Sequence, residues 1–288
     1  MSGIAPKLRE IKASDITEAV AQLCQRANSE LNADVLDSLK RAMRTETSPL
    51  GREVLAQIIE NARIAGQKDL PLCQDCGTTI IFLEIGQETR VVGGDLYTAV
   101  NEGVREGYTQ GYLRKSMVAQ PFSARTNTRD NTPPVIHSEI VPGDHIKITC
   151  LCKGAGSENM SKLAMLNPGD GREGIIDLVV KTVDEAGANP CPPVIVGLGI
   201  GATAEGALLL SKKALLRELG KPNPDPEVAE LEKELLSRVN DLGIGPMGLG
   251  GSTTALAVHA EVRPTHIASL PVAISFQCHS VRHKEARL

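Results

Sequence analysis

The stretch PLCQDCGTT, residues 71–79, sets two cysteines three positions apart around a glutamine and an aspartate. Thiols at that spacing suit three chemistries: half of a zinc site, a redox dithiol, or one corner of a metal centre gathered from distant segments. Zinc needs four ligands, and Cys73, Cys76, Cys150 and Cys152 could supply them, although Cys150 and Cys152 flank one residue of an apparent strand and share a face. A redox dithiol belongs at a helix start after a strand, whereas Cys73 and Cys76 precede a strand. The third chemistry draws on Cys73 in LCQDCG, Cys191 in NPCPPV and Cys278 in SFQCHS, which lie too far apart for a local finger. Three thiolates from three loops can hold three corners of a cubane iron–sulfur cluster, leaving the fourth iron open as a Lewis acid. Spacing alone does not choose this triplet from the seven cysteines of the chain.

A second motif is VIVGLGIGATAEG, which reads as strand, then Gly197-x-Gly199-x-x-Ala202, then helix. It satisfies a permissive dinucleotide-binding fingerprint, but that unit also needs a second strand ending in an acidic residue about twenty positions on. Glu218 falls instead inside the helical run ALLREL, ahead of the proline-rich KPNPDPE. A tight strand-to-helix turn is the better reading.

Elements must position these residues. Residues 1–66 read as a helical N-terminal segment. Apolar residues recur at helical spacing in ITEAVAQLCQRANSEL, with Ser14 as the expected N-cap, and in ADVLDSLKRAM. Ser48-Pro49 opens a third helix, SPLGREVLAQIIENARIA. Cys24, beside Val20 and Leu23 on the first helix, reads as a small buried hydrophobe. Beyond Cys73 come the strand TTIIFLEIG and the helix DLYTAVNEGVREGYTQGYL, then VIHSEIV and HIKITCLC as a strand pair about Pro142-Gly143-Asp144. Helix GIIDLVVKTVDEAG, strand PPVIVGLG and helices AEGALLLSKKALLREL and VAELEKELLSRVNDLG follow, before two β-type runs, TTALAVHAEV and LPVAISFQC. The pattern predicts one α/β domain of mixed α+β character over residues 1–288. In it a mixed sheet covered by helices follows the helical segment, and candidate site loops come from three separated stretches.

Composition narrows the function classes. The chain has 288 residues, 41% of them hydrophobic and only 2% aromatic, so aliphatic side chains must fill its core. A net charge of −4 gives no basic surplus for a nucleic-acid partner. No signal peptide is recognisable at the N-terminus, and residues 192–210, the most apolar run, contain Glu205 and four glycines, a poor bilayer span. A cytoplasmic protein without a membrane partner is expected, with cysteines available for metal or catalysis rather than disulfides.

Several blocks together carry a family resemblance. PLCQDCGTTIIF resembles the C-Q-D-T-G-T segment of class I, iron–sulfur-dependent fumarases; CKGAGSEN resembles their K-G-G-G-S-x-N loop; and ANPCPPVIVGLGIG resembles their A-C-P-P stretch. LGIGPMGLGG and SFQCHSVRH match two further blocks, all in family order from about Glu46 onward. Tartrate dehydratase, whose large subunit is similar in length, shares the fold and cluster, while the KGAGSEN loop looks more like the fumarase version. Position 76 is Cys where the family usually has Thr, and position 155 is Ala where it often has Gly.

The resemblance implies a [4Fe-4S] cluster held by Cys73, Cys191 and Cys278, and reversible dehydration of (S)-malate to fumarate. It assigns Gln74 and Asp75 to the substrate and proton-transfer network, and Arg114 to a substrate carboxylate, which a guanidinium fork suits. Gly154 and Gly156, with Asn159 and Lys162 behind them, would bind the small dicarboxylate substrate. His266, twelve residues before Cys278, matches a histidine near the active site of the family. The remaining groups, a threonine base with arginine and lysine partners, lie in a C-terminal domain of the single-chain relatives. A separate β subunit is therefore expected to complete the site, within a dimer of αβ pairs. L-tartrate dehydration is the alternative activity, and a zinc-stabilised interaction protein the alternative class.

Overall fold

A computed structural model describes residues 8–288. In chain order its elements begin with β1 (Arg9–Lys12), α1 (Ala13–Ser29), α2 (Ala33–Thr45) and α3 (Pro49–Lys68). Next come β2 (Thr78–Gly86), β3 (Thr89–Val92), α4 (Leu96–Gln110), β4 (Val135–Val141) and β5 (Ile146–Lys153). A single turn, α5 (Ala155–Glu158), leads to β6 (Lys162–Leu166), α6 (Gly171–Ala186), β7 (Val194–Ala202) and α7 (Ala204–Ala214). The chain then forms α8 (Pro226–Asn240), β8 (Ala255–Thr265), β9 (Leu270–Gln277) and β10 (His283–Arg287). The fold is mixed α/β, as expected. None of the described helices is long and apolar enough to cross a membrane.

The chain divides into two compact units. The first holds the chain through Glu30, Ile64–Lys153 and Arg282–Leu288; the second holds Leu31–Arg63 and Gly154–Val281. The three N-terminal helices exist, but α1 belongs to the first unit and α2 to the second.

In the first unit the sheet order is β10-β5-β2-β4, with β2 antiparallel to β5 and parallel to β4. The expected β4–β5 strand pair is therefore not formed. Both strands and the turn exist, but β2 inserts between them, and the Gly86 N–H reaches the His145 carbonyl at 2.8 Å. Helices α1 and α4 pack closely because Gly103 and Gly107 of α4 leave room: a Cβ on Gly103 would sit 2.6 Å from the Thr17 carbonyl oxygen. Helix α1 starts at Ala13, one residue before the expected cap, and the Ser14 hydroxyl bonds to Asp15 Oδ1 instead.

The second unit has a sheet of order β6-β9-β7-β8. Strand β7 shows how the sequence builds it. Val194, Val196, Leu198 and Ile200 fill one face against α6 and α8 in a cluster with Val179, Leu235 and Phe276. The opposite face carries Ile195, then Gly197 and Gly199, where α7 lies against the strand: a Cβ on Gly199 would run into the Ala207 carbonyl. Gly197 and Gly199 thus sit inside the strand, not in the strand-to-helix turn expected of them, which comes later, at Ala202 and Thr203. The role of the two glycines is close helix–strand packing.

Candidate active site

In the first unit the loop from Cys73 to Gly77 is held from several sides. The Leu72 N–H bonds to the Asn28 carbonyl at 2.7 Å. The Asp75 N–H donates to Cys73 Sγ at 3.4 Å, and Asp75 Oδ1 accepts from the Gly77 N–H at 2.9 Å, so the aspartate stabilises its own turn. Beneath it lies Arg282, which is buried and donates to the Asp75 carbonyl and, at 3.4 Å, to Asn28 Oδ1. Gly77 is required: its φ is 78°, and a Cβ would stand 2.6 Å from the Lys153 carbonyl oxygen. Cys73 is half-buried and Gln74 exposed. Arg114 is also exposed, and its guanidinium makes no hydrogen bond or ion pair among the described residues.

Cys76 points the other way. It is buried, its sulfur accepts the Arg114 backbone N–H at 3.2 Å, and burial pushes its thiol pKa up. Cys150 Sγ lies 3.9 Å from both Cys24 Sγ and Cys152 Sγ, and all three are buried. The zinc quartet is not assembled: Cys76, Cys150 and Cys152 share one apolar core, where Cys150 and Cys152 turn to Cys24 and Asn28 of α1, while Cys73 stays partly accessible outside it. Among the described residues no group of three His, Cys, Asp or Glu side chains is arranged to hold a metal ion.

In the second unit, antiparallel pairing of β7 with β9 places Ile195 opposite Gln277, which brings Cys191 and Cys278 to the same end of the sheet. His279 ties them: its backbone N–H at 3.3 Å and its Nδ1 at 3.0 Å both meet the Cys191 carbonyl. Both cysteines are half-buried, and Cys191 sits in the left-handed region at φ 56°, a conformation costing a non-glycine residue about 1–2 kcal/mol. The loop opening at Gly154 packs beside this turn, since a Cβ on Gly156 would lie 3.0 Å from the Asn189 carbonyl oxygen. Asn159 ends α5 and is exposed; Lys162, also exposed, lies on β6 opposite Ile274, four residues along β9 from Cys278. His266 is elsewhere. It occupies the exposed turn before β9, with Nδ1 accepting the Ala268 N–H at 3.1 Å, so the whole of β9, roughly 25 Å, separates it from Cys278 within this unit.

A buried carboxylate supports the Cys191 turn from behind. Glu46 accepts the backbone N–H groups of Ser48 at 2.9 Å, Ser252 at 2.8 Å and Thr253 at 2.8 Å. Burial alone would raise its pKa, but these hydrogen bonds hold it down at about 2. The loop it grips runs through Met247, whose N–H donates to the Pro192 carbonyl at 2.8 Å. Glu46, Arg282 and His279 were not singled out from sequence. His279 and Arg282 both lie in the SFQCHSVRH block, which offered a signal; Glu46 had none.

Comparison with known proteins adds an independent finding. Residues 17–287 match the family model "Fumarate hydratase (Fumerase)". The chain is 43% identical over 280 residues to "Putative L(+)-tartrate dehydratase subunit alpha" of Methanocaldococcus jannaschii, covering 95% of this chain and 97% of that one. It is 33% identical over 277 residues to "L(+)-tartrate dehydratase subunit alpha" of Escherichia coli strain UTI89, covering 95% and 90%. The protein of that name in Shigella sonnei is 32% identical over 265 residues, covering 91% and 87%.

Proposed function

Since the chain belongs to the fumarate hydratase (Fumerase) family, we propose that it is the α subunit of a hydro-lyase acting on a four-carbon hydroxydicarboxylate. The first substrate is (S)-malate, dehydrated reversibly to fumarate. The observation that carries this reading is the sorting of the cysteines. Cys24, Cys76, Cys150 and Cys152 are buried, whereas Cys73, Cys191 and Cys278, the three that the resemblance assigns to a cluster, are the partly accessible ones. None is in a disulfide, so all three thiols are available as donors, and three thiolates suit a [4Fe-4S] cluster. When bound, such a cluster supplies an open iron as Lewis acid for the departing hydroxyl.

The residues of this chain would do the rest of the work on its side of the site. Arg114, with its guanidinium free, pairs with a substrate carboxylate, and Gln74 offers an amide next to Cys73. Asp75 can hold a proton at its carboxylate, in a turn fixed by Gly77 and Arg282. Gly156 lets the loop that opens at Gly154 lie against Asn189, and Gly154, Gly156, Asn159 and Lys162 would meet the substrate from this side. A separate β subunit supplies the base and closes the site against water, within a dimer of αβ pairs.

The names of the relatives favour a second reading, L(+)-tartrate as substrate. Anaerobic reconstitution tests both. Iron and acid-labile sulfide should bind the native chain and be lost in Cys191→Ser. With the β subunit added, turnover of malate and L(+)-tartrate should be compared side by side. Full cluster content in Cys191→Ser would refute the ligand set, full turnover by the chain alone would refute the need for β, and faster turnover of tartrate would select the second substrate.

A further inference from the structure

The segment between α4 and β4, residues 111–134, carries two aromatic side chains into solvent: Tyr112 is 91% exposed and Phe122 87%. Single exposed apolar residues are ordinary. This chain, however, has only three Tyr and three Phe, and it buries Phe82, Tyr108 and Phe276. Placing two of six aromatics at nearly full exposure on one loop calls for an explanation.

The loop is built, not slack. The Ala119 N–H bonds to the Thr126 carbonyl at 2.8 Å and the Thr128 N–H to the Met117 carbonyl at 2.9 Å. At the tip, Gln120 Oε1 accepts the N–H groups of Phe122 at 3.0 Å and Ser123 at 2.6 Å, which fixes the turn that presents the Phe122 ring. At the base, fully buried Asn131 accepts the Ser116 N–H at 2.7 Å and donates to the Gly77 carbonyl at 3.1 Å. That carbonyl belongs to the Cys73–Gly77 loop, so the tip is held in register with Gln74 and Asp75. The loop is also basic. Beside Arg114 it carries Lys115, Arg125 and Arg129, against one carboxylate, Asp130, which Arg105 engages at 3.1 Å.

Resting on the two-subunit reading above, we propose that this loop is the docking arm for the β subunit. Phe122 and Tyr112 would enter apolar sockets on that partner, rimmed by carboxylates facing Lys115, Arg125 and Arg129. Its continuity with the Cys73–Gly77 loop selects this occupant, because a partner gripping Phe122 is carried to the loop it must complete. Two aromatic side chains offer roughly 300–500 Å² of contact area, about half of what one side of a stable interface needs. Large aromatic and Arg side chains are also the usual anchors of such interfaces.

The test is binding of the full chain to its β subunit by biolayer interferometry, using Phe122→Ser, Tyr112→Ser and Arg129→Glu. Because these side chains are exposed, the melting temperature of each variant should stay unchanged. Phe122→Ser should weaken binding at least thirtyfold, about 2 kcal/mol at 1.4 kcal/mol per tenfold, mainly through faster dissociation. Arg129→Glu should slow association and flatten its salt dependence. Unaltered binding by both aromatic variants, with the native chain binding normally, would overturn the arm and leave the two-subunit reading standing. If the native chain failed to bind β at all, that reading would fall and take the arm with it. Self-association lost in Phe122→Ser, with β binding intact, would assign the loop to a second copy of this chain and overturn the proposal.

Discussion

Glu46→Gln is the sharpest perturbation of the second unit. The carboxylate is buried and accepts three backbone N–H groups together with the Ser252 hydroxyl. Glutamine has one acceptor oxygen where the carboxylate has two, so its NH2 must face an N–H donor already in place. The wild-type pKa of about 2, against an ordinary 4.5, corresponds to about 3 kcal/mol of stabilisation at neutral pH. The sign follows from the direction of the shift. A lowered folded-state pKa gives stability that is fully present above about 4.5 and drains away as pH falls toward about 2, with roughly 1 kcal/mol gone by about pH 3.5. Urea unfolding of the two proteins at neutral pH and at about pH 3.5 should show the gap narrowing by that amount. Since the gripped loop also holds the Pro192 carbonyl, Glu46→Gln should lose cluster faster as well. An equal midpoint at neutral pH, or a gap indifferent to pH, would refute the reasoning.

Gly199→Ala should cost at least about 2 kcal/mol in thermal unfolding, because its methyl group meets the Ala207 backbone of α7 and neither element can yield; a neutral result would remove the steric account of the β7–α7 packing. Cys24→Ser should cost about 1–2 kcal/mol by burying a hydroxyl in an apolar core, while iron and sulfide analysis finds full cluster content. Cys76→Ser should retain most activity, since a serine oxygen can still accept the Arg114 N–H. Arg114→Ala should lower kcat/KM by about 2–4 kcal/mol in the assembled enzyme with an unchanged melting temperature, and normal steady-state kinetics would return Arg114 to the role of a solvated cation.

Periodicity made most of the helices legible because each turns a continuous apolar stripe toward a core: Ile16, Val20 and Leu23 of α1, and Val35 and Leu39 of α2. Strands β2, β5, β7, β8 and β9 were legible as apolar β-type runs for the same reason. Pairing was not. The Pro142-Gly143-Asp144 turn is genuine, yet β2 takes the place between its strands, and nothing local reports a partner more than fifty residues upstream. Strands β1, β3, β6 and β10 are short and carry too many charged or exposed residues to show alternation, so they were missed. The glycines of the apparent dinucleotide fingerprint, read as a tight strand-to-helix turn, lie instead inside β7, for an instructive reason. Glycine permits close backbone approach equally to a phosphate and to a helix, and the motif does not say which.

The candidate site divides along the same line. Its residue types were legible, because Cys, Asp, Gln and Arg announce their chemistry wherever they stand. What sequence could not supply was the sorting among like residues. Cys73 and Cys76 are three apart in one loop, but the turn built on Asp75 Oδ1 and the Gly77 N–H leaves one thiol partly accessible and sends the other into the core beside Tyr108 and Cys152. His266 and His279 are both near Cys278 in sequence, but an extended strand carries the first away at about 3.3 Å per residue, whereas the second closes on the Cys191 carbonyl. The supports are the least legible part. Glu46 and Arg282 bond to backbone atoms, and a backbone atom has no residue type for a motif to record. A pattern search therefore finds the groups that could touch a ligand and passes over the groups that hold them in place. For that reason Glu46→Gln, at a residue that lies in none of the quoted motifs, tests the architecture of the Cys191 turn more directly than a substitution within it.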